Sequence, residues 1–177
     1  MATYPYPLIS TPLGDWKNNI YDLNAIRMAG IHNVFIRAFN SVFYHAPKAE
    51  ASDVPAFMKC CLAIALDCLH KHHTAEETAA FPALEAKLGK GSMDGNVAQH
   101  EEFMPEFNEY MVGLHPHFVD EIATLDSAVM KKHFSEAELQ VVEKRLEEKV
   151  QELSSIWNAP LVLVNSDLTF NSWFPPV

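Results

Sequence analysis

The chain has 177 residues, a formal net charge of −10 and 49% hydrophobic residues, enough for one compact domain with a sizeable core and too few for two ordinary ones. The acidic balance excludes nucleic acid and an anionic membrane surface as main partners, because both select clustered Lys and Arg. With no apolar run of about 18 residues, and no basic segment followed by an apolar one in MATYPYPLIS, a soluble cytoplasmic protein is expected.

Pro5, Pro7, Pro12 and Gly14 should keep residues 1–20 extended, as an arm on the domain surface. A helix is predicted over 21–46. Its apolar positions Ile31, Val34, Phe35, Ala38, Phe39, Val42 and Phe43 recur at helical spacing, and Met28, His32, Phe35 and Phe39 form one stripe, which turns His32 inward. Pro47 closes this helix.

A second helix is expected from Pro55 through LHKHHTAEETAAFPALE (69–85), bent at Phe81-Pro82. On it His72 and Glu76 share one face, and His73 and Glu77 the neighbouring face. The stripe Met58, Cys61, Ala65, Cys68 leads to the first pair and the stripe Leu62, Leu66, Leu69 to the second, so periodicity does not choose between them. Cys60, Cys61 and Cys68 crowd into this one segment and read as small buried hydrophobes of a reducing compartment, not as a disulfide framework.

The glycines of GKGSMDGN mark a loop. A third helix is predicted from near Asn96, with Val97, His100, Phe103, Met104 and Phe107 on one side, kinked at Pro105 and ended by Gly113. A fourth stretch, HFVDEIATLDSAVM, sets His117 and Glu121 four apart. Ser135 and Glu138 form a capping box. The helix it opens carries Leu139, Val142, Leu146, Val150, Leu153 and Trp157 on one face, and Glu143, Lys144, Glu147, Glu148 and Lys149 on a face read as solvated. The tail APLVLVNSDLTFNSWFPPV has strand-like composition and is expected to pack as an extended segment. The divisions are thus an arm (1–20), a metal-binding bundle (21–134), and a C-terminal helix with tail (135–177).

Nine histidines are the unusual feature, since imidazole is the commonest protein ligand for transition metals. Four helices each carry an inward histidine: His32, His72 (with His73 as the open alternative), His100 and His117. Glu76 and Glu121 accompany them. Carboxylates converging on a core cost several kcal/mol unless a cation sits between them. Imidazole with carboxylate suits iron, and to a lesser degree zinc, manganese or copper. Structural zinc sites favour cysteine and closely spaced pairs, which His70-x-His72 and His115-x-His117 only imitate.

IHNVFIRAFNS around His32, LHKHHTAEETAAFPALE, GNVAQHEEF around His100, HFVDEIATL around His117, and the ends YPYPLISTP and NSDLTFNSWFPP cover most of the chain. Together they resemble the hemerythrin-like, or HHE cation-binding, family, in particular its fungal branch. The resemblance implies an all-α, up-down four-helix bundle, here with an extra C-terminal helix and extended termini. In the family the helix-2 glutamate ligand stands six residues before the proline, which selects Glu76 with Pro82 and hence His72. Two non-haem irons, oxo- or hydroxo-bridged, are implied, with Glu76 and Glu121 spanning them, His32 and His72 on one iron, and His100 and His117 on the other. His70, His73 and Glu77 are then left to orient ligands or to face solvent. The implied function is binding of, or reaction with, a small oxidant such as O2, peroxide or nitric oxide. Alternatives are a non-enzymatic iron-binding or sensing module, and a shortened structural bundle with an impaired metal site.

Only 16 residues lie between His100 and His117, so the region joining helices 3 and 4 is shorter than in such relatives. With a turn at Gly113 and about 1.5 Å of rise per residue, His100 would sit about 20 Å from the turn while His117 lay beside it. The two are therefore not expected to meet. A kink at Pro105, a helix exchanged within a homodimer, or His133 in place of His117 would each restore the site.

Overall fold

The computed structural model describes residues 5–101, 107–153 and 158–166, and all regular secondary structure there is helical, with no strand among the described residues. Helix α1 (Ile20–His45) begins where Asn19, in extended backbone, accepts a hydrogen bond from the Tyr21 N–H, with Asp22 in the first turn. Met28, His32, Phe35 and Phe39 are all buried, as their spacing predicts.

The arm lies along α1 and is held by two of its amides. Asn33 donates to the Ile9 carbonyl (2.9 Å) and accepts from the Ile9 N–H (2.8 Å), and Asn40 does the same for Tyr6 (2.8 and 3.1 Å). Each amide offers the donor and acceptor that a neighbouring strand would, so extended backbone is satisfied without a sheet. His115 adds a hydrogen bond from Nε2 to the Pro7 carbonyl (2.9 Å).

After a short 3-10 turn at Ala46–Lys48 around Pro47, α2 is one continuous helix over 54–88. It passes through π-helical turns at Ala63–Leu69 and Glu76–Ala80. The second replaces the bend expected at Phe81-Pro82. Pro82 has no N–H to return to the preceding turn, and in the widened turn the Phe81 N–H reaches back to Glu76. Each π turn takes up extra chain and rotates the buried stripe. Cys68 and Leu69 are therefore buried while Met58 and Leu62 upstream are 48% and 49% exposed, so neither expected stripe runs unbroken. The same rotation corrects the reading of the cysteines: Cys68 is buried, Cys61 half-buried and Cys60 exposed. Gly89, at φ 107°, ends α2 in a region that glycine enters cheaply.

Helix α3 (Asp94–Glu101) is followed by α4 (Phe107–Thr124), which runs through Gly113 and Pro116. The helix end expected at Gly113 is absent. Leu114 and Phe118 on either side are fully buried, and that anchoring outweighs the glycine's entropy and the missing Pro116 N–H. Phe103, Met104 and the expected kink at Pro105 lie outside the described residues. The stretch after His117, read as one helix, is two: Asp126 leaves helical geometry and caps α5 (Ser127–His133) through the Ala128 N–H (2.8 Å).

Helix α6 (Glu136–Leu153) opens on the capping box, Glu138 accepting from the Ser135 N–H (2.9 Å) and Ser135 Oγ from the Glu138 N–H (3.4 Å). Glu143, read as solvated, is buried. Arg27 reaches it from α1, Nη1 lying 2.5 Å from Glu143 and Nη2 3.0 Å from Glu147. The tail is helical where described, as α7 (Asn158–Asn165). Leu161 packs against the core there, and that burial overrides strand propensity. Trp157 and residues 167–177 lie outside the described residues. No helix among the described residues is long and apolar enough to cross a membrane.

The core consists of two apolar slabs. One gathers Phe35, Phe39, Leu69, Leu114 and Phe118; the other gathers Met28, Phe81, Leu84, Leu125 and Leu139. Where α1, α2 and α4 pass from one slab to the other they carry the buried His32, His73, Glu76, His117 and Glu121, with Ile31 and Ile122 packed against both slabs. Asn33→Ala would leave the Ile9 backbone without its partner and is expected to cost about 1–3 kcal/mol. Urea unfolding measures this, with faster proteolysis of the arm as a second readout; an unchanged midpoint and cleavage rate would show that the arm is held by other contacts.

Candidate metal centre

Seven side chains form the layer between the slabs: His32 from α1, His72, His73 and Glu76 from α2, His100 from α3, and His117 and Glu121 from α4. His32, Glu76, His117 and Glu121 are 0% exposed and His73 is 8%. All six residues singled out from the sequence converge here. The expected separation of His100 from His117 is overturned, because their Nε2 atoms lie 3.0 Å apart. The height argument counted from a turn at Gly113 that does not exist. Instead α3 lies against the middle of α4, where Gln99 bonds both Asp120 (3.2 Å) and His117 (3.1 Å). Both histidines come from one chain, so no exchanged helix is needed to bring them together. His133 sits half-buried at the end of α5 and belongs to neither potential metal-binding group.

Among the described residues the donor atoms fall into two groups, His32 with His72 and Glu76, and His73 with His100 and His117, each within 4.8 Å. The carboxylates join the groups. Glu76 lies 3.0 Å from His72 Nε2 and 3.8 Å from His100 Nε2, and Glu121 lies 3.2 Å from His32 Nε2 and 3.7 Å from His117 Nε2.

The outer nitrogens of three rings are committed. His32 Nδ1 donates to the Phe118 carbonyl (3.0 Å), His117 Nδ1 to Gln99 Oε1 (3.1 Å), and His100 Nδ1 to the Glu77 carboxylate (2.6 Å). With Nδ1 so engaged, each ring turns its Nε2 to the layer, and the rings of His100 and His117, lowered by burial, present lone pairs there. Gln99 cannot turn over without losing its bond to Asp120, so its carbonyl end stays on His117. The 3.0 Å between His100 and His117 then separates two lone pairs. Two nitrogens held by one metal at about 2.1 Å and at right angles lie about 3 Å apart. His32 Nε2, His72 Nε2 and all four oxygens of Glu76 and Glu121 are also buried and accept or donate no hydrogen bond. Such atoms are expensive in a dry layer, and as a set of nitrogen and oxygen donors they fit a transition metal.

Burial first, and then the neighbouring imidazoles, hold His72 well below the usual histidine range and lower His73 and His100 too; His117 falls to about 3. These rings are neutral at neutral pH. Burial and the adjoining Glu121 raise Glu76 well above the carboxylate range. Burial acts on Glu121 in the same sense, but the contact and charge of His32, with His117 and His72, prevail and bring it to about 2. One carboxylate ionises and its neighbour keeps a proton.

Two members of the site stand outside the six singled out from the sequence. His73, offered by periodicity as the alternative to His72 and set aside on the resemblance, stacks on His100 with ring centroids 3.8 Å apart, so both histidines enter the layer. Gln99 carries no signal beyond preceding His100. Glu77 does orient His100, whereas His70 is exposed.

The fold and site describe an all-α protein with a buried His/Glu layer able to hold metal. No family model matches the chain, and no solved structure matches it. It is similar to the dimeric xanthone biosynthesis cluster protein R11 of Cryptosporiopsis sp. (strain 8999), 29% identical over 187 aligned residues that cover 97% of this chain and 70% of that protein.

Two predictions follow from this geometry. Gln99→Leu removes the acceptor that orients His117 and is expected to weaken metal binding by about 10–100-fold, measured by competition with a chelator; unchanged affinity would show the ring is held by packing alone. The metal-free protein should lose stability on acidification. His72, His73, His100 and His117 titrate near 6.5 when unfolded and lower when folded, down to about 3 for His117, so below 6.5 the unfolded chain binds more protons through them. Glu121, at about 2 folded, adds a loss below about 4.5, while the raised Glu76 opposes it. Four imidazoles and Glu121 outweigh one carboxyl. A urea midpoint that rose between pH 7.5 and 5 would mean that the rings are charged in the folded state.

Proposed function

We propose that this chain is a hemerythrin-like, non-haem di-iron protein that binds or reacts with a small oxidant such as O2, peroxide or nitric oxide. In this reading α1, α2, α3 and α4 supply the ligands of an up-down four-helix bundle. The observation that carries it is the pairing of two three-residue donor groups through two shared carboxylates, Glu76 and Glu121. Iron is favoured by the mixture of five imidazoles and two carboxylates without a thiolate; Cys68 belongs to the adjoining apolar slab. Bound iron supplies a redox couple and an open coordination position.

The chain's own residues do the rest. His32, His72, His73, His100 and His117 offer ring nitrogens, and the Phe118 carbonyl, Gln99 and Glu77 engage the outer nitrogens of three of them. Glu76, near His72 and His100, and Glu121, near His32 and His117, would balance the cationic charge of bound metal. Phe35, Phe118, Phe81 and Leu125 on the two sides exclude bulk water, which strengthens every electrostatic contact in the layer. The relative's printed place in a biosynthesis cluster leads us to set this chemistry in small-molecule biosynthesis.

Anaerobic reconstitution followed by iron analysis tests the reading. About two irons per chain are expected, with a change in the near-ultraviolet and visible spectrum on adding O2, peroxide or nitric oxide. Glu76→Ala should remove at least one iron. Full stoichiometry in that variant would refute the ligand assignment, and a wild-type chain that takes up zinc or manganese but no iron would remove the di-iron reading.

A further inference from the structure

A cavity adjoins the layer on its α6 side. It lies between α1, α2 and α6, measures about 440 Å³, and its lining includes His72, Glu76 and Glu121 from the layer. Its walls are the buried Met28, Phe81, Leu84 and Leu125, and Val150, 45% exposed, stands at its solvent side. A molecule the size of water takes about 30 Å³, and a diatomic oxidant is of similar size. The space is many times that, and falls within the range of about 300–1,000 Å³ typical of small-molecule sites.

Two polar features restrict what fits. Asn24 is 8% exposed and lines the same cavity, so its side-chain amide is the neutral donor and acceptor in the walls. Arg27 also lines it, but its guanidinium is committed to Glu143 and Glu147, so it offers no free charge to an anion. An amide in such a wall suits a neutral hydrogen-bonding group, and the apolar walls favour hydrocarbon over ions.

We propose that this cavity binds a neutral, largely apolar organic molecule, with a hydrogen-bonding group on Asn24 and one end against the His72, Glu76 and Glu121 face. It deepens the di-iron reading by naming the class of molecule brought to that centre, and rests on it only for what happens after binding. The occupancy itself depends on the walls and the amide.

Titration with the neutral fluorophore N-phenyl-1-naphthylamine, on both metal-free and iron-loaded protein, tests this. A saturable rise in fluorescence at a single site is expected in both forms, with weaker binding of an anionic anilinonaphthalene sulfonate. Val150→Trp, at an exposed position, should block the entrance and reduce affinity at least about tenfold, or about 1.4 kcal/mol, with iron content unchanged. Leu146→Trp, deeper in the wall, should do the same. Non-saturable binding, or affinity unaffected by both tryptophans, would overturn the proposal. Absent iron with retained, tryptophan-sensitive dye binding would instead count against the di-iron reading alone.

Discussion

Glu76 and Glu121 lie at full burial between two hydrocarbon slabs, and the ionisable groups that reach them among the described residues are histidines, Glu77 and each other. Neither has a Lys or Arg partner there. Two carboxylates in such a place cost several kcal/mol each unless positive charge comes between them. The metal-free layer meets this cost in part by keeping a proton on Glu76 and by letting the imidazoles around Glu121 hold it ionised. Burial disfavours charge on His72 and His117, so this compensation is incomplete. A cation coordinated by those same lone pairs would satisfy both carboxylates and the imidazoles together.

The rest of the fold serves to hold lone pairs at that place. On α1 a plain helical stripe suffices, with the Phe118 carbonyl fixing the ring of His32. On α2 regular geometry does not suffice: His72 and His73 are adjacent in sequence and would point about 100° apart, yet both enter the layer. The π turns on either side shift the register, and the second also admits Pro82 into an unbroken helix. On α4 the layer is reached by carrying the helix through Gly113 and Pro116, with Leu114 and Phe118 as anchors. These irregularities share one physical reason, since each places a donor that an ideal helix would turn away.

The legible part of the sequence was the part governed by helical spacing. His32 with Phe35 and Phe39, His72 with Glu76, and His117 with Glu121 declare themselves at intervals of three or four residues, and all lie in the layer. Periodicity offers His73 as a rival to His72, and the resemblance chooses between them; that both enter the layer was not legible, because a widened turn leaves no mark in a pattern of apolar residues. Gly113 misled because glycine and proline were weighed as local breakers, whereas the burial of Leu114 and Phe118 decided the outcome. Glu143 was read as solvated from its own helix alone; the residue that makes its burial tolerable, Arg27, is on α1, more than a hundred positions away. LVLV near the C-terminus looked like a strand and is a helix for the same kind of reason, a contact supplied by α1.

That Arg27–Glu143 contact also bears on the shape of the site. Burying Glu143 on α6 requires its cation to come from α1, which ties the two helices together beside the cavity. The arginine is neutralised by two carboxylates, so the rim is braced without presenting a free positive charge. If the same space had been filled by apolar side chains, the slab would have gained packing energy but closed the approach to Glu76 and Glu121. The cavity lies beside this ion pair and borders Glu76 and Glu121, so the fold forgoes some packing stability at that edge of the layer.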